Sequence, residues 1–91
     1  MDIIHDKDKR QFILPLSDGL KAKVEYILDN SNDMRLVHSE VPYELRGQGV
    51  GKDLVLKTFE KLTEEGYTAT AICSYIRAVA KRHPTWSSII S

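Results

Sequence analysis

The stretch Val41-Pro42-Tyr43-Glu44-Leu45-Arg46-Gly47-Gln48-Gly49-Val50-Gly51-Lys52 decides the reading of this chain. Strand-like alternation runs up to it, and an amphipathic helix begins at once behind it. Glycines occupy every second position from Gly47 to Gly51. Glycine lets a backbone approach a ligand closely, and the first N–H groups of a helix have no intrahelical partners. Together with the positive end of the helix dipole, those donors form an anion site. The stretch therefore predicts a pyrophosphate cradle. The plain alternative is a glycine-rich turn that holds nothing.

Spacing separates the phosphate motifs that compete for it. A P-loop needs Gly, four residues, then Gly-Lys-Ser/Thr. Counting back from Gly51-Lys52 finds Arg46 where the first glycine belongs, and Asp53 stands in place of the magnesium-binding hydroxyl. A dinucleotide fingerprint needs G-x-G-x-x-G after the first strand of a βαβ unit. Here the spacing is G-x-G-x-G behind several strands, in a chain too short for a doubly wound sheet. A third pattern fits: Arg/Gln-x-x-Gly-x-Gly/Ala at a strand-to-helix junction, met by Arg46, Gly49 and Gly51.

Working outward, the residues before the loop read as four strands set apart by turn chemistry. Ile3 to His5 is short, and Asp6-Lys7-Asp8-Lys9 is a polar turn. Gln11 to Leu16 follows, where Pro15 favours an edge or an end because it lacks an N–H. Ser17-Asp18-Gly19 turns into the cleanest alternation of the chain. Leu20, Ala22, Val24, Tyr26 and Leu28 lie on one face, with Lys21, Lys23 and Glu25 on the other. After the turn at residues 29–33, Met34 to Val41 forms the fourth strand, which Pro42 stops.

The period then changes. From about Gly49 to Glu65, Leu54, Val55, Thr58, Phe59 and Leu62 recur at three and four residues, and Gly66 supplies a helix stop. Tyr67 to Cys73 reads as an inner strand. Ser74 is expected to cap a last helix, with Ile76, Val79 and Ala80 inward and His83-Pro84 at its end. The tail from Thr85 carries Trp86, Ile89 and Ile90, which are expected to pack back on the body. The order is ββββαβα, an α+β fold of one domain over residues 1–91. A helix joining the fourth and fifth strands implies a right-handed parallel crossover in an otherwise antiparallel sheet. A ligand belongs at the carboxyl end of that fourth strand.

Bulk properties narrow the function. The 91 residues carry 13 basic and 13 acidic side chains, so there is no basic excess of the kind nucleic-acid binders show. No apolar run approaches the ~20 residues of a membrane span. Met1-Asp2-Ile3-Ile4-His5-Asp6 has neither the charged nor the apolar region of a signal peptide. One cysteine cannot close an internal disulfide, and His5, His38 and His83 lack metal-ligand spacing. The expectation is a cytoplasmic monomer or weak homodimer that uses no metal.

The strand order, together with the Arg46 to Gly51 loop after the fourth strand, resembles the GNAT acetyltransferase superfamily. Cys73-Ser74-Tyr75-Ile76 with Arg82-His83-Pro84 is similar to its branch of very small single-domain members. The resemblance spans nearly the whole chain. It implies a minimal GNAT fold whose fourth and fifth strands are parallel and splayed. It implies that the backbone from Arg46 through Gly47, Gln48, Gly49, Val50 and Gly51 to Lys52 holds the pyrophosphate of acetyl-CoA. It implies a bulge in the fourth strand, pantetheine in the gap bonded near Glu40 and Val41, and an oxyanion donor near Val41. Larger members insert helices between the first two strands, and the Asp6 to Lys9 turn stands in their place. The acceptor site is therefore expected to be open, suited to an amine on a protein or to an exposed small amine.

Four side chains are candidates for chemistry. Cys73 ends the fifth strand just before a helix start, where a thiol pKa falls. It either accepts the acyl group, protonates the leaving thiolate, or is a buried, inert small hydrophobe. Glu40 and His38 share a strand face if alternation is regular, and either is a base for the amine or a solvated strand residue. Tyr75 is an acid for the thiolate or a packing residue. Lys81 and Arg82 suit a 3′-phosphate or plain solvent. His83 reads as a structural cap, and Trp86 as a core plug or oligomer contact. Three functions follow: an acyl-CoA-dependent N-acyltransferase acting by direct attack, a non-catalytic acyl-CoA sensor or interaction module, or a module that binds no CoA.

Overall fold

Alternating apolar residues lay down the sheet, and the computed structural model describes residues 2–91 of it. The strands are β1 (Ile4–Asp6), β2 (Gln11–Pro15), β3 (Lys21–Leu28), β4 (Asp33–Glu40) and β5 (Thr68–Ala71), joined in one sheet in chain order. The first four pair antiparallel, and β4 pairs parallel with β5. The crossover between them is α1 (Val50–Glu64); α2 (Ser74–Arg82) and α3 (Pro84–Ser87) follow. This is the α+β order expected, with parallel β4 and β5. The tight turn after β1 is closed by Lys9 N–H donating to Asp6 Oδ1 at 3.1 Å.

The helices pack against one sheet face only. Ala22, Val24 and Tyr26 of β3 are buried there with Phe12, Leu14, Met34 and Leu36, under Leu54, Val55, Phe59 and Leu62 of α1. Burying each such large side chain stabilises the fold by about 1.5–3 kcal/mol. Thr58 is wholly buried among them, and its hydroxyl donates to Leu54 O at 2.8 Å. The opposite face carries Lys23, Glu25 and a half-exposed Ile27, and no helix among the described residues covers it. His5 lies opposite the buried Phe12, on the helix face of the sheet. Its side chain is almost fully buried, Nδ1 donating to Glu65 Oε1 at 2.7 Å and Nε2 meeting Tyr26 Oη. That pair ties β1 to the end of α1.

Three local expectations are corrected. The fifth strand stops at Ala71 rather than Cys73, because its partner leaves: Ile72 N–H and Cys73 N–H both donate to Leu36 O at 3.0 Å. Cys73, in extended backbone, is the N-cap of α2 instead of Ser74. The tail is not plain coil, since Pro84 starts the short α3 and Ile90 forms a parallel bridge with Ala69. Ile90 and Trp86 pack on the body as expected, Trp86 against Phe59 with centroids 5.5 Å apart, but Ile89 is half exposed.

Candidate functional site

A bulge in β4 builds the site. Tyr26 pairs with Leu36 but Glu25 with His38, so Val37 is an extra residue without a partner. A bulged strand bends and breaks its ladder locally. Up to Leu36 the even positions of β4 face the helices; beyond Val37 the odd ones do. Ser39, opposite the buried Val24, therefore points to the helix side. His38 and Glu40, opposite Glu25 and Lys23, share the open face. Were Val37 paired as a regular strand residue, His38 and Glu40 would keep the parity of Leu36 and be driven into the core.

The bulge also ends the β4–β5 pairing, whose last partners are Leu36 and Ala71. At the other end Asp33 clamps the pair, accepting from Thr68 Oγ1 at 2.7 Å and Thr70 Oγ1 at 2.8 Å. The strands are thus fastened at one end and splayed at the other. From the splay to the glycine loop runs a cleft of about 550 Å³, bordered by His38, Ser39, Glu40, Val41, Leu45, Arg46, Gly47, Gly49, Gly51 and Tyr75.

At its loop end, Gly49 is the N-cap of α1 with φ +80°, and Gly47 has φ +82°. A side chain at either position would find no neighbour within 4 Å, so the space above the backbone is free. The first helical bond is Asp53 N–H to Gly49 O at 3.1 Å, which leaves the N–H groups of Val50, Gly51 and Lys52 without helical partners. Gln48 lies at the loop's exposed crest, its amide donating to Glu44 O at 3.5 Å. Arg46 sits over the Tyr43 ring with Nε donating to Val41 O at 3.5 Å. Gly51 has a different constraint: a Cβ there would lie 2.9 Å from Tyr75 Oη. Tyr75 therefore covers the first turn of α1, at the loop end of the cleft rather than beside Cys73. On its far side Lys52, Arg82 and His83 border a smaller hollow of about 260 Å³, and Lys81 is absent from it.

At the splay, two pairs of side chains lie on opposite faces. On the open face His38 Nε2 is 4.0 Å from Glu40 Oε1, and Lys23 Nζ is 3.8 Å from Glu40 and 3.9 Å from Glu25. On the helix side Ser39 Oγ is 3.7 Å from Cys73 Sγ. Burial alone would push that thiol up. Hydrogen bonding by the N–H of Ile76, the Ser39 hydroxyl and the N–H groups of Tyr75 and Ser39 outweighs burial and holds it below its ordinary value. Cys73 does not itself border the cleft; Ser39 stands between. Sequence reasoning missed Ser39, although the switch from apolar Met34 and Leu36 to polar His38 and Glu40 on one parity was the trace of the bulge that exposes it. Among the described residues, no three His, Cys, Asp or Glu side chains converge as a metal site.

Known proteins agree with this architecture. A family model described as GCN5-related N-acetyl-transferase matches residues 11–89. Protein NATD1 of Xenopus tropicalis is 32% identical over 83 residues, covering 88% of this chain and 74% of that one. Protein NATD1 of Danio rerio is 33% identical over 81 residues, with the same coverage. A GCN5-like protein of Staphylococcus aureus, solved by solution NMR, superposes with a TM-score of 0.70 at 24% identity, over 99% of this chain and 87% of that one. On the family match and the identity to these relatives, the chain belongs to the GCN5-related N-acetyltransferase family.

Proposed function

We propose that this protein is an acyl-CoA-dependent N-acyltransferase that moves an acetyl group to an amine by direct attack across the splay of β4 and β5. The observation that carries the reading is the division of polar groups at the splay, His38 and Glu40 on the open face and Ser39 with Cys73 on the helix side. The acyl donor and the amine thus have separate approaches to one point. The cleft has room for a pantetheine arm, and the free N–H groups with open space above Gly47 and Gly49 suit a pyrophosphate. Arg46 and Lys52 add positive charge there, with Gln48 and Val50 in the same loop. Val41, just past the end of β4, supplies the N–H for the thioester oxygen; losing such a donor costs about 3–4 kcal/mol in the transition state.

The remaining steps fall to side chains. Glu40, with His38 beside it, takes the proton from the amine as nitrogen bonds to the acyl carbon. The departing thiolate takes a proton from the helix side, where the lowered thiol of Cys73 is a stronger acid than an ordinary thiol. Tyr75, with its hydroxyl over Gly51, contacts the donor near its phosphates instead of acting as the acid. Acceptors arrive over a face that no helix walls off, which suits an amine on a protein or an exposed small amine. The test is release of free CoA from acetyl-CoA with lysine-bearing peptides and polyamines. Turnover that falls with Glu40→Gln supports the reading, and absence of turnover with every amine despite tight CoA binding refutes it. That second outcome is what a non-catalytic acyl-CoA sensor gives, a reading favoured by the half-exposed positions of His38 and Glu40. The site of action in this reading is the cytoplasm, with the chain working as a monomer or weak homodimer.

A further inference from the structure

Among the described residues, Ser39 is the one polar side chain that both borders the cleft and touches Cys73. It reaches this position only because the unpaired Val37 switches the parity of β4, and it stands directly opposite the buried Val24. We propose that Ser39 is the proton link between Cys73 and the cleft: its hydroxyl passes a proton to the departing thiolate of the acyl donor and takes the proton of the Cys73 thiol. In this step the Oγ–H bond of Ser39 breaks as an S–H bond forms on the leaving group. The Sγ–H bond of Cys73 breaks as Oγ–H is restored. Cys73 is left as a thiolate, and it is reprotonated from solvent with the equivalent of the proton that the amine surrendered. All bonds break heterolytically and nothing is oxidised.

Direction and geometry agree. The Oγ to Sγ separation of 3.7 Å is a hydrogen bond of sulfur length, with no other group interposed. His38 and Glu40 project to the other face of β4, and Tyr75 Oη covers Gly51, so neither the base nor the phenol competes for the thiol. Proton transfer from a thiol held below its ordinary value to a free thiolate runs downhill.

The relay deepens the transferase reading and rests on it for the relay's destination, but the coupling can be measured with no donor present. Cys73 is the only cysteine in the chain, so iodoacetamide alkylation reports on it alone. Its rate is followed against pH in the native protein, Ser39→Ala and Ser39→Thr, alongside calorimetric titration of CoA into each. Ser39→Ala is expected to move the alkylation midpoint up and slow the neutral-pH rate about three- to tenfold, the worth of one hydrogen bond. Ser39→Thr retains the hydroxyl and restores the native profile. A filler role for Ser39 alters access, and hence the plateau rate, but leaves the midpoint in place. An unmoved Ser39→Ala midpoint with CoA still bound overturns the relay alone. Failure of the native protein to bind CoA overturns the transferase reading, whatever the midpoint does.

Discussion

Deleting Val37 should leave the fold standing and close the site. The pairing on either side of the bulge explains why. With Val37 gone, Tyr26 still faces Leu36, and Glu25, Val24 and Lys23 still face His38, Ser39 and Glu40. Every side chain keeps its face, so the core keeps its members. The deletion loses one half-buried valine, worth about 1 kcal/mol on the scale of a fully buried one. It regains an uninterrupted ladder, worth about 0.5–1.5 kcal/mol for one added bond. The two terms nearly cancel, and a residual of ~1 kcal/mol shifts Tm by roughly 4–8 °C in a domain of this size. The effect on the cleft is larger. A straight β4 continues beside β5 at about 4.8 Å, the spacing of paired strands, and leaves no gap for a pantetheine arm. CoA affinity should fall by more than about tenfold, or ~1.4 kcal/mol. Thermal denaturation and calorimetric titration on the same sample decide it. A deletion protein that binds CoA like the native one refutes the bulge as the cause of the splay, and one that does not fold refutes the register argument.

Other expectations follow from the same geometry. Gly49→Val puts a β-branched residue at φ +80°, a cost of about 1–2 kcal/mol, and fills the space above the loop; CoA binding should vanish in calorimetry, and undiminished affinity means the cradle lies elsewhere. Cys73→Ser should bind CoA normally while turning over more slowly, and unchanged turnover retires the thiol as the acid. If an acetyl adduct appears on the native protein after incubation with acetyl-CoA, and is lost in Cys73→Ser, intact-protein mass spectrometry will have replaced direct attack with a covalent route. Asp29 is held below the usual carboxylate range by the N–H groups of Asp33 and Ser31, which stabilise its charged form. The turn between β3 and β4 is therefore fully supported above the ordinary carboxylate range and loosens as pH falls through the lowered value. Amide exchange at Ser31 and Asp33 should accelerate over that interval, and Asp29→Asn should remove the pH dependence.

Much of the architecture was legible because it is local. The three-and-four spacing of Leu54, Val55, Thr58, Phe59 and Leu62 marked α1, and all five are wholly buried. Alternation in β3 identified its core face, and the glycine loop was readable from spacing alone. What escaped depends on residues far apart in the chain. Ser39 and Cys73 meet across splayed strands, and Tyr75 meets Gly51 across two helices; no local pattern encodes either contact. The early end of β5 escaped for the same reason, since it is set by the departure of β4 and not by the residues of β5 itself. The burial of His5 against Glu65 and Tyr26 was likewise hidden, because a histidine on a short edge strand reads as solvated until its partners are known.

The most direct test of the account is calorimetric titration of CoA and acetyl-CoA into the native protein and the Gly49→Val variant. The account predicts saturable one-site binding of both ligands to the native protein and none to the variant. Absence of binding to the native protein, or equal binding to both proteins, contradicts it.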